Sequence, residues 1–357
     1  MPLPRSRPAM RRSRCRSARC RDIRDPVDPP RERVTILELL DPANDDQFAA
    51  FHDVYVAGHD DEWDRPYTAR EQRAELLQDV PHLRIAGVLA RDDSGTPVGM
   101  GYVELPQKDN LDLGYIDVVV RPEHRRQGHG TAVLARIAEI ARVAGRHTLY
   151  VEVRWDLDQK GSGRTAFAEA MGFRRDLVDA HRVLTLPADL PEAPPRDGYT
   201  LHAWRGPCPE EWIDQYAHLL SLIVQEAPSG DYPLENEFFD RARIRTDEQL
   251  LRLQGRVMQV VAAVSPDGVL AGHTQLQFSE TDALNAYQWD TLVLADHRGH
   301  GLGLSLKVRA MEEAADLLAT RRHVHTYNAA SNGPMIAVNE KLGFRQVGWL
   351  GEYVRTR

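Results

Sequence analysis

Hydrophobic and polar positions form a series of short runs that occurs twice along the chain in the same order. The first series opens at residues 34–40 and the second at 199–205, each with the alternation typical of a strand and followed by a stretch that indicates a helix. Two longer apolar runs follow in each series, separated by the turn residues 93–95 or 266–268, and they predict β-hairpins. The paired runs are residues 85–90 with 98–105 and residues 257–264 with 272–278.

The second part of each series continues with the same elements in both copies. A β-branched strand at 115–120 or 290–294 leads into a glycine-containing loop and then into an amphipathic helix. A further strand, a short helix that ends in Gly-Phe, and a last strand complete the series. The apolar face of the first amphipathic helix contains Val133, Ile137, Ile140 and Ala144, and that of the second contains Leu304, Val308, Met311, Ala315 and Leu318.

The two series also share residues. Residues 117–130 align without a gap on residues 290–303, and the Asp, one Val, the His, the Arg and both glycines coincide. A repeat of this length indicates a duplicated domain rather than a solenoid. We therefore predict an N-terminal domain at 34–187, a Pro-rich linker at 188–198 and a C-terminal domain at 199–357, both domains of a mixed α/β (α+β) class.

Composition changes this picture only at the N-terminus. Residues 1–33 contain 11 arginines against four acidic residues, whereas the whole chain of 357 residues has a formal net charge of −8. We predict a disordered, Arg-rich leader, because the segment is charged, rich in proline and poor in apolar residues. A contact with nucleic acid or anionic lipid and a transit peptide are the alternatives, but the segment has no aromatic residue to stack on bases and no apolar core of a secretory signal.

Bulk properties limit the function classes. No apolar run approaches the length of a membrane span, so we expect no membrane partner. The acidic remainder of the chain argues against nucleic acid as a substrate. Three cysteines, two of them in the leader, give no disulfide framework and favour a cytoplasmic location.

The pattern Arg-x-x-Gly-x-Gly between a strand and a helix has a direct chemical use. Backbone N–H groups of such a loop and of the first helical turn converge with the positive end of the helix dipole, which is how proteins bind a pyrophosphate. Glycine is needed because a Cβ atom there would block the phosphate. The pattern occurs as Arg125, Gly128, Gly130 and again as Arg298, Gly301, Gly303.

Strand, glycine loop, helix, strand, short helix and Gly-Phe together resemble the acetyl-CoA-binding core of the GNAT family of N-acetyltransferases, in two fused copies. The resemblance implies a largely antiparallel mixed sheet, flanked by helices, whose fourth and fifth strands splay apart in each copy. It implies that acetyl-CoA binds with its pantetheine arm in that V. The two arginines either cap the loop or contact phosphate.

The resemblance also assigns cofactor-binding residues in both copies. In the C-terminal copy they are Leu292, Val293, Leu294, Arg298, Gly299, His300, Gly301, Leu302, Gly303, Leu304, Asn328 and Asn332. In the N-terminal copy they are Val118, Val119, Val120, Arg125, Arg126, Gln127, Gly128, His129, Gly130 and Thr131.

The resemblance makes the two copies unequal. Family members commonly have an Asn after the fifth strand and, seven positions later, a Tyr that stabilises or protonates the departing thiolate. The C-terminal copy has Asn332 and Asn339 at these places, whereas the N-terminal copy has Gly161 and Ala168. We therefore expect the C-terminal copy to be active and the N-terminal copy to be degenerate.

Catalytic candidates follow from the chemistry of amine attack on a thioester. Asp290 is the candidate base, with His297 and Glu226 behind it, and the N–H of Val293 could bind the developing oxyanion. Asn339 can donate a hydrogen bond to sulfur but has no proton to release, so Tyr353, Tyr327 or water would supply it.

Other conspicuous side chains have more ordinary explanations. The histidines of the C-terminal copy lack the spacing of a metal site, so we expect no metal, and its strand aromatics either line an acceptor pocket or fill the core. These residues are His297, His300, His323, His325, Phe278, Tyr287, Trp289 and Trp349.

These observations predict an enzyme that transfers acetyl from acetyl-CoA to the primary amine of a small molecule in the C-terminal copy, acting as a monomer or homodimer. The acidic surface favours a cationic acceptor. A non-catalytic acyl-CoA sensor and a protein-modifying acetyltransferase are the alternatives.

Overall fold

A computed structural model of the chain describes residues 35–59, 62–63, 65–158, 163–195, 197–226 and 228–356. The predicted leader at 1–33 and the candidate position Gly161 lie outside these residues. Residues 34–357 form one compact unit. Within the described part of the chain, no helix combines the length and the apolar character that crossing a membrane requires.

The predicted elements are present in both halves, with somewhat different bounds. In the first half they are β1 Ile36–Leu39, α1 Asp45–Gly58, α2 Ala69–Leu77, β2 Leu83–Arg91, β3 Pro97–Pro106, β4 Leu113–Val120, α3 His129–Val143, β5 Thr148–Asp156, α4 Gly163–Ala170 and β6 Arg174–Thr185. In the second half they are β7 Thr200–Arg205, α5 Ile213–Ser221, α6 Ile223–Glu226, α7 Arg241–Gln254, β8 Arg256–Val264, β9 Leu270–Ser279, β10 Asn285–Val293, α8 Leu302–Glu313, α9 Ala315–Leu318, β11 His323–Ala329, α10 Gly333–Lys341 and β12 Arg345–Thr356.

All of these strands join one mixed sheet of 12 strands in the described part of the chain, in the order β1-β2-β3-β4-β5-β12-β6-β11-β10-β9-β8-β7. The two halves exchange their last strands: β12 of the second half lies against β5, and β6 of the first half lies against β11. β6 and β12 also pair with each other, so the sheet runs through both halves without a break.

Both predicted V-shaped openings are present. β4 and β5 pair in parallel only over residues 113–115 and 148–150, and β10 and β11 only over residues 285–287 and 323–325. Beyond these short stretches the strands separate, whereas the other pairs are antiparallel. The predicted α/β class with splayed, largely antiparallel sheets is confirmed.

Each half packs its sheet on the helix that follows its glycine loop. α3 buries Val133 and Ile137 as expected, but Ala144 lies beyond the end of that helix. The second amphipathic helix is interrupted at Ala314, so α8 and α9 replace the single helix that the apolar pattern predicted. Because the last strands are exchanged, Tyr353 of β12 packs in the core of the first half.

Glu71 of α2 is a buried carboxylate that joins the two halves. Its Oε1 accepts hydrogen bonds from Ser279 Oγ (2.8 Å) and Arg256 Nε (3.1 Å), and its Oε2 pairs with Arg65 Nη2 (2.9 Å). Burial by itself raises the pKa of Glu71, but the Thr68 backbone bond and the charges of Arg65 and Arg256 outweigh it and lower the pKa to about 2. The carboxylate therefore stabilises the contact between the halves in its charged form.

Replacing Glu71 with alanine is expected to lower the free energy of unfolding at pH 7 by about 3–5 kcal/mol, because Arg256 loses the buried carboxylate with which it pairs, whereas Arg65 keeps its pair with Asp282. The contribution is present above the unfolded pKa of 4.5 and is lost as pH falls toward about 2. Urea unfolding at pH 7 and at acid pH measures both effects.

The control is Glu280→Ala, which breaks the exposed pair between Glu280 and Arg70 across the same contact. An exposed pair contributes about 1 kcal/mol or less. Equal costs for the two variants would contradict the role of Glu71.

Candidate active site

The two V-shaped openings share one continuous cleft with a volume of about 1730 Å³. Its walls come from β3, β4 and β5 of the first half and from β9, β10 and β11 of the second, together with both exchanged strands. The N-terminal glycine loop lines this space together with Asp290, Leu292, Lys307, Asn328 and Asn332 of the C-terminal site. Residues 293–304, which include the C-terminal glycine loop, are not among the residues that line it.

The C-terminal glycine loop has the geometry of an anion site. Gly299 and Gly301 have φ of 89° and 75°, the left-handed region that favours glycine, and a Cβ added at either would meet nothing within 4 Å. Gly301 is the N-cap of α8. The backbone N–H groups of residues 299–303 have no acceptor among the described residues. The loop thus offers a row of free donors in open space, which fits a diphosphate.

The two loop arginines cap the ends of the splayed strands. Arg298 Nε donates to the carbonyl of Val293 (3.1 Å), and Arg125 Nε donates to the carbonyl of Val120 (3.2 Å). Arg298 also forms an ion pair with Glu226, which is a further candidate base behind Asp290. These contacts favour the capping role for both arginines.

The edge of β10 is open where acetyl-CoA would lie. The N–H of Leu294 donates to the carbonyl of Ala271 on β9 (2.9 Å), so by strand alternation the N–H of Val293 points away from β9 and into the opening. Leu292 is buried and lines the cleft. The N–H of Val293, the candidate oxyanion donor, is therefore on the edge of β10 that β11 leaves unpaired.

The rest of the C-terminal loop is held by its neighbours. His300 Nδ1 lies 2.6 Å from Asp197 Oδ2, and His297 Nδ1 lies 2.8 Å from the hydroxyl of Tyr199. Leu302 is buried in the core, and Leu304 packs against the core of the second half. His297 therefore supports the loop and does not line the cleft.

The N-terminal loop faces the same cleft. Its lining residues are Val118, Val119, Val120, Arg125, Arg126, Gly128, Gly130 and Thr131. His129 is buried with its Nδ1 2.9 Å from Thr35 Oγ1, and Gln127 Nε2 donates to the carbonyl of Glu123 (3.3 Å). Ala168 is buried in the core of the first half, so this copy presents no polar side chain at the tyrosine position.

Asp290 lines the cleft next to a β-bulge that separates Gln288 from Thr291. It is half-buried, and no hydrogen bond or ion pair joins it to another described residue. Burial, with a further contribution from the charge of Glu237, raises the pKa of Asp290 to about 6. A carboxylate in this state can accept a proton near neutral pH.

Asn328, Asn332 and Asn339 form a cluster of polar side chains in the C-terminal V, which we call the polar floor. Asn339 is fully buried; its Oδ1 accepts from Lys307 Nζ (2.8 Å) and its Nδ2 donates to Asn328 Oδ1 (2.5 Å). Asn332 caps α10 by accepting from the N–H of Met335 (3.3 Å). Lys307, Asn328 and Asn332 line the cleft, whereas Asn339 lies behind them. Asn339 thus holds Lys307, and both of its polar groups are occupied.

Tyr353 is not brought to the C-terminal V. It is only 1% exposed, lies on β12 opposite Val151 of β5, and does not line the cleft. Tyr353 belongs to the C-terminal copy in sequence, but the strand exchange moves it into the core of the first half. We therefore do not retain it as a proton donor.

A hydrogen-bonded chain crosses the junction of the exchanged strands. Arg154 donates to the hydroxyl of Tyr327 (2.6 Å) and to His181 Nδ1 (3.0 Å), and His181 Nε2 lies 3.0 Å from His325 Nδ1. Burial lowers the pKa of His325 to about 4, with the neighbouring His323 and Arg154 adding to the effect. His325 is therefore buried and neutral, and Tyr327 is engaged by Arg154. Among the described residues, no group of three or more His, Cys, Asp or Glu side chains could hold a metal ion.

Carboxyl groups from β3, β5 and the two exchanged strands form a strongly acidic wall of the cleft. Burial and like charge raise the pKa of Glu104 to about 8 and those of Glu152 and Asp179 to about 7. Glu352 of the exchanged β12 lies directly opposite Glu152 in the sheet register and accepts a hydrogen bond from the hydroxyl of Tyr150. We call Glu104, Glu152, Asp179 and Glu352 the acidic wall.

Two polar side chains of the second half line the same cleft with unused hydrogen-bonding groups. Gln277 and Gln288 are 5% and 4% exposed and line the cleft, yet Gln277 Nε2 and Gln288 Oε1 have no partner among the described residues. Of the aromatic candidates, Tyr287 and Trp289 line the cleft, whereas Phe278 is part of the core.

The sequence interpretation missed Lys307 and the acidic wall. Lys307 follows Leu304 by three positions on the face predicted to be apolar, so a lysine inside that stripe was the available signal. The acidic wall had no comparable signal, because its members come from four strands and two of these are exchanged.

Comparisons with known proteins agree with this two-repeat architecture. The model of the acetyltransferase (GNAT) family matches residues 45–173 and again residues 218–344. The mycothiol acetyltransferase of Salinispora arenicola is 27% identical over 323 residues, covering 89% of this chain and 95% of that protein. The mycothiol acetyltransferase of Acidothermus cellulolyticus is 26% identical over 289 residues, covering 75% and 81%.

Two solved structures have the same overall arrangement. A tandem GNAT protein from the clavulanic acid biosynthesis pathway superimposes with a TM-score of 0.76 at 27% identity, over 90% of this chain and 98% of that chain. A GCN5-related N-acetyltransferase from Sphaerobacter thermophilus, at 17% identity, shares the fold with a TM-score of 0.62 over 90% and 95%. The chain belongs to the GNAT family, contains two GNAT repeats in tandem, and is an acyltransferase of a family that uses acyl-CoA donors.

Proposed function

We propose that this acyltransferase moves the acetyl group of acetyl-CoA to the primary amine of a small, cationic molecule, and that the transfer takes place in the C-terminal V. One observation supports the proposal: a glycine loop whose N–H groups at residues 299–303 have no acceptor among the described residues follows directly on β10, the strand that contains Val293 and Asp290. Of these residues, Asp290 lines the cleft. In sequence, the N-terminal copy has Gly161 and Ala168 at the places of Asn332 and Asn339.

The loop and the strand edge bind and orient the donor. The N–H groups of residues 299–303 would hold the diphosphate, and the edge of β10 would hold the pantetheine arm. Acetyl-CoA supplies a thioester whose acetyl group can pass to nitrogen. The N–H of Val293 would donate to the carbonyl oxygen on which negative charge develops.

Asp290 prepares the acceptor. An amine attacks only as the neutral base, and it loses a proton when the new N–C bond forms. Asp290 lies on the wall of the opening with a pKa of about 6, so at neutral pH it is a carboxylate that can accept this proton. Because Asp290 has no competing partner among the described residues, its full hydrogen-bonding capacity is available to the amine.

The acidic wall favours an acceptor with a second positive charge. Four carboxyls share one wall of the cleft, and desolvation together with like charge raises the pKa of each of them. A cationic group would relieve this repulsion and bring the carboxyls into their charged form. The mycothiol acetyltransferase relatives are consistent with a small-molecule acceptor.

The direct test is release of the CoA thiol with a panel of acceptors. We expect diamines and amino sugars that carry a further cationic group to give the highest kcat/KM, followed by neutral amines and then by anionic amines. Absence of thiol release with every small amine, or release only with lysine-containing peptides, would contradict the proposal. The cytoplasmic location and the state as monomer or homodimer remain predictions.

The acidic wall supplies a separate prediction. Glu152→Gln is expected to raise the KM of a dicationic acceptor about tenfold with little change in kcat, because a hydrogen bond to a charged group contributes about 1.5–3 kcal/mol. Initial rates over a range of acceptor concentrations give both constants. Asp267→Asn removes the same charge from an exposed turn and should leave KM unchanged. A KM for Glu152→Gln within twofold of the wild-type value would contradict the role of the wall.

A further inference from the structure

Lys307 is a buried lysine in the C-terminal V. It lies on α8 one turn after Gly303, is 1% exposed, and lines the cleft. The repeat aligns Lys307 with Leu134 of α3, which is apolar. The charged group is therefore a property of the C-terminal copy alone.

The contacts of Lys307 leave most of its hydrogen-bonding capacity unused. Its Nζ donates to Asn339 Oδ1 (2.8 Å), and Asn339 is fixed in turn by Asn328. No carboxylate among the described residues pairs with Lys307. An ammonium group has three N–H bonds, so two of them have no protein acceptor in the described part of the chain.

Lys307 lies beside the residue at which the C-terminal copy lacks a proton donor for the departing thiolate. Asn339 stands where the GNAT resemblance places a tyrosine beside the departing thiolate, but an amide has no proton to release. Lys307 Nζ lies 2.8 Å from Asn339 Oδ1, and Lys307 lines the cleft whereas Asn339 lies behind it. The pair of Asn339 and Lys307 can therefore do what the asparagine alone cannot.

We propose that Lys307, held by Asn339, is the acid that protonates the CoA thiolate as it leaves the C-terminal V. This inference rests on the proposed function, because it requires the thioester to lie in that opening. Asn339 acts only through Lys307 and is a positioning residue.

The proton and electron balance is complete without another reactant. The lone pair of the amine forms the N–C bond, and the C–S bond breaks with its electron pair remaining on sulfur. Asp290 accepts the proton that the amine loses, and Lys307 gives one proton to sulfur and becomes neutral. Proton exchange with solvent then restores both side chains, and the products are an amide and the CoA thiol.

The protonation state of Lys307 is suited to this step. Burial lowers the pKa of Lys307 to about 7, and no charged neighbour contributes to the shift. The ionisable groups of the neighbouring strands are Asp290, His325 and Tyr327, and on α10 Glu340 and Lys341 are exposed. An acid with a pKa close to the working pH releases its proton readily and recovers it readily.

The test measures the ionisation of bound CoA and not the reaction. The parent protein carries Gly128→Glu, so that the N-terminal loop is blocked. CoA is bound in the C-terminal V of this parent, and the pKa of its thiol is measured from the ultraviolet absorbance of the thiolate. We expect this pKa to be about 1–3 units below that of free CoA, because a cation within a few ångströms favours the thiolate. Adding Lys307→Met should abolish the shift.

Two further measurements separate an acid from a structural lysine. Leu306→Met changes a neighbouring buried residue of α8 and should leave the pKa of the bound thiol unchanged. In the same parent, Lys307→Met should lower kcat about 100-fold with little change in the affinity for CoA.

The outcomes distinguish this inference from the proposed function. If the pKa of the thiol of bound CoA is not lowered in the Gly128→Glu parent, the inference is wrong, but the C-terminal cofactor site still stands. This comparison requires no substitution at Lys307. A shift that persists in Lys307→Met overturns the inference as well. Failure of the parent to bind CoA at all overturns the C-terminal site and the inference together.

Discussion

Gly301→Glu is expected to abolish acetyl transfer, with kcat/KM falling at least about 1,000-fold. The substitution places a carboxylate among the N–H groups of residues 299–303, where the diphosphate would bind, so it introduces charge repulsion and blocks the site. The left-handed φ of 75° at this position adds backbone strain. The measurement combines steady-state rates with the number of acetyl-CoA molecules bound per chain by calorimetry.

Gly128→Glu is the matched control for Gly301→Glu. Gly128 is the N-cap of α3 as Gly301 is of α8, with a similar φ of 91°. We expect Gly128→Glu to retain most of the activity. Loss of activity in Gly128→Glu together with an active Gly301→Glu would place the reaction in the N-terminal copy and refute our assignment.

Asp290→Asn is expected to lower kcat by about 10²- to 10⁴-fold, the range that general bases contribute. The substitution preserves the shape of the side chain but removes the group that accepts the amine proton. The pH dependence provides a second signature. Asp290 must be charged to act, so wild-type kcat should fall as pH decreases through about 6, and this decrease should be absent from the residual activity of the variant.

The control for Asp290→Asn is Asp296→Asn, which removes a charge from an exposed position in the turn after β10. It should leave kcat unchanged. A kcat for Asp290→Asn within threefold of wild type, or an acid limb that survives the substitution, would exclude Asp290 as the base.

Local patterns predicted the parts of this fold that depend on local interactions. The hairpins follow from strand alternation with turn residues between the strands, and the glycine loops follow from the strand-to-helix change with glycine at the N-cap. Because residues 117–130 are repeated at 290–303, the strand, the glycine loop and the helix could each be identified in two places. These features need no knowledge of distant contacts.

The exchange of β6 and β12 is the main feature that the sequence did not predict. Alternation of apolar residues specifies which face of a strand is buried, but not which neighbour it pairs with. Both exchanged strands end equivalent repeats, so their patterns fit either sheet. This uncertainty placed Tyr353 in the wrong half and hid the pairing of Glu152 with Glu352.

The chemistry of the cleft was only partly predictable for a related reason. Asp290 and the glycine loop lie close together in the sequence and could be found from the motif. Lys307 was within a recognised helix, but its burial depends on Asn339 and Asn328, which come from two later elements. Charged groups that meet across elements become visible only when the topology is known.

The central claim is that the C-terminal glycine loop and V hold the donor, and a crystal structure with CoA tests it most directly. We predict the diphosphate within hydrogen-bond distance of the N–H groups of residues 299–303, and the thiol beside Lys307 between β10 and β11. CoA bound only at the N-terminal loop, with the C-terminal opening closed by side chains, would contradict this account.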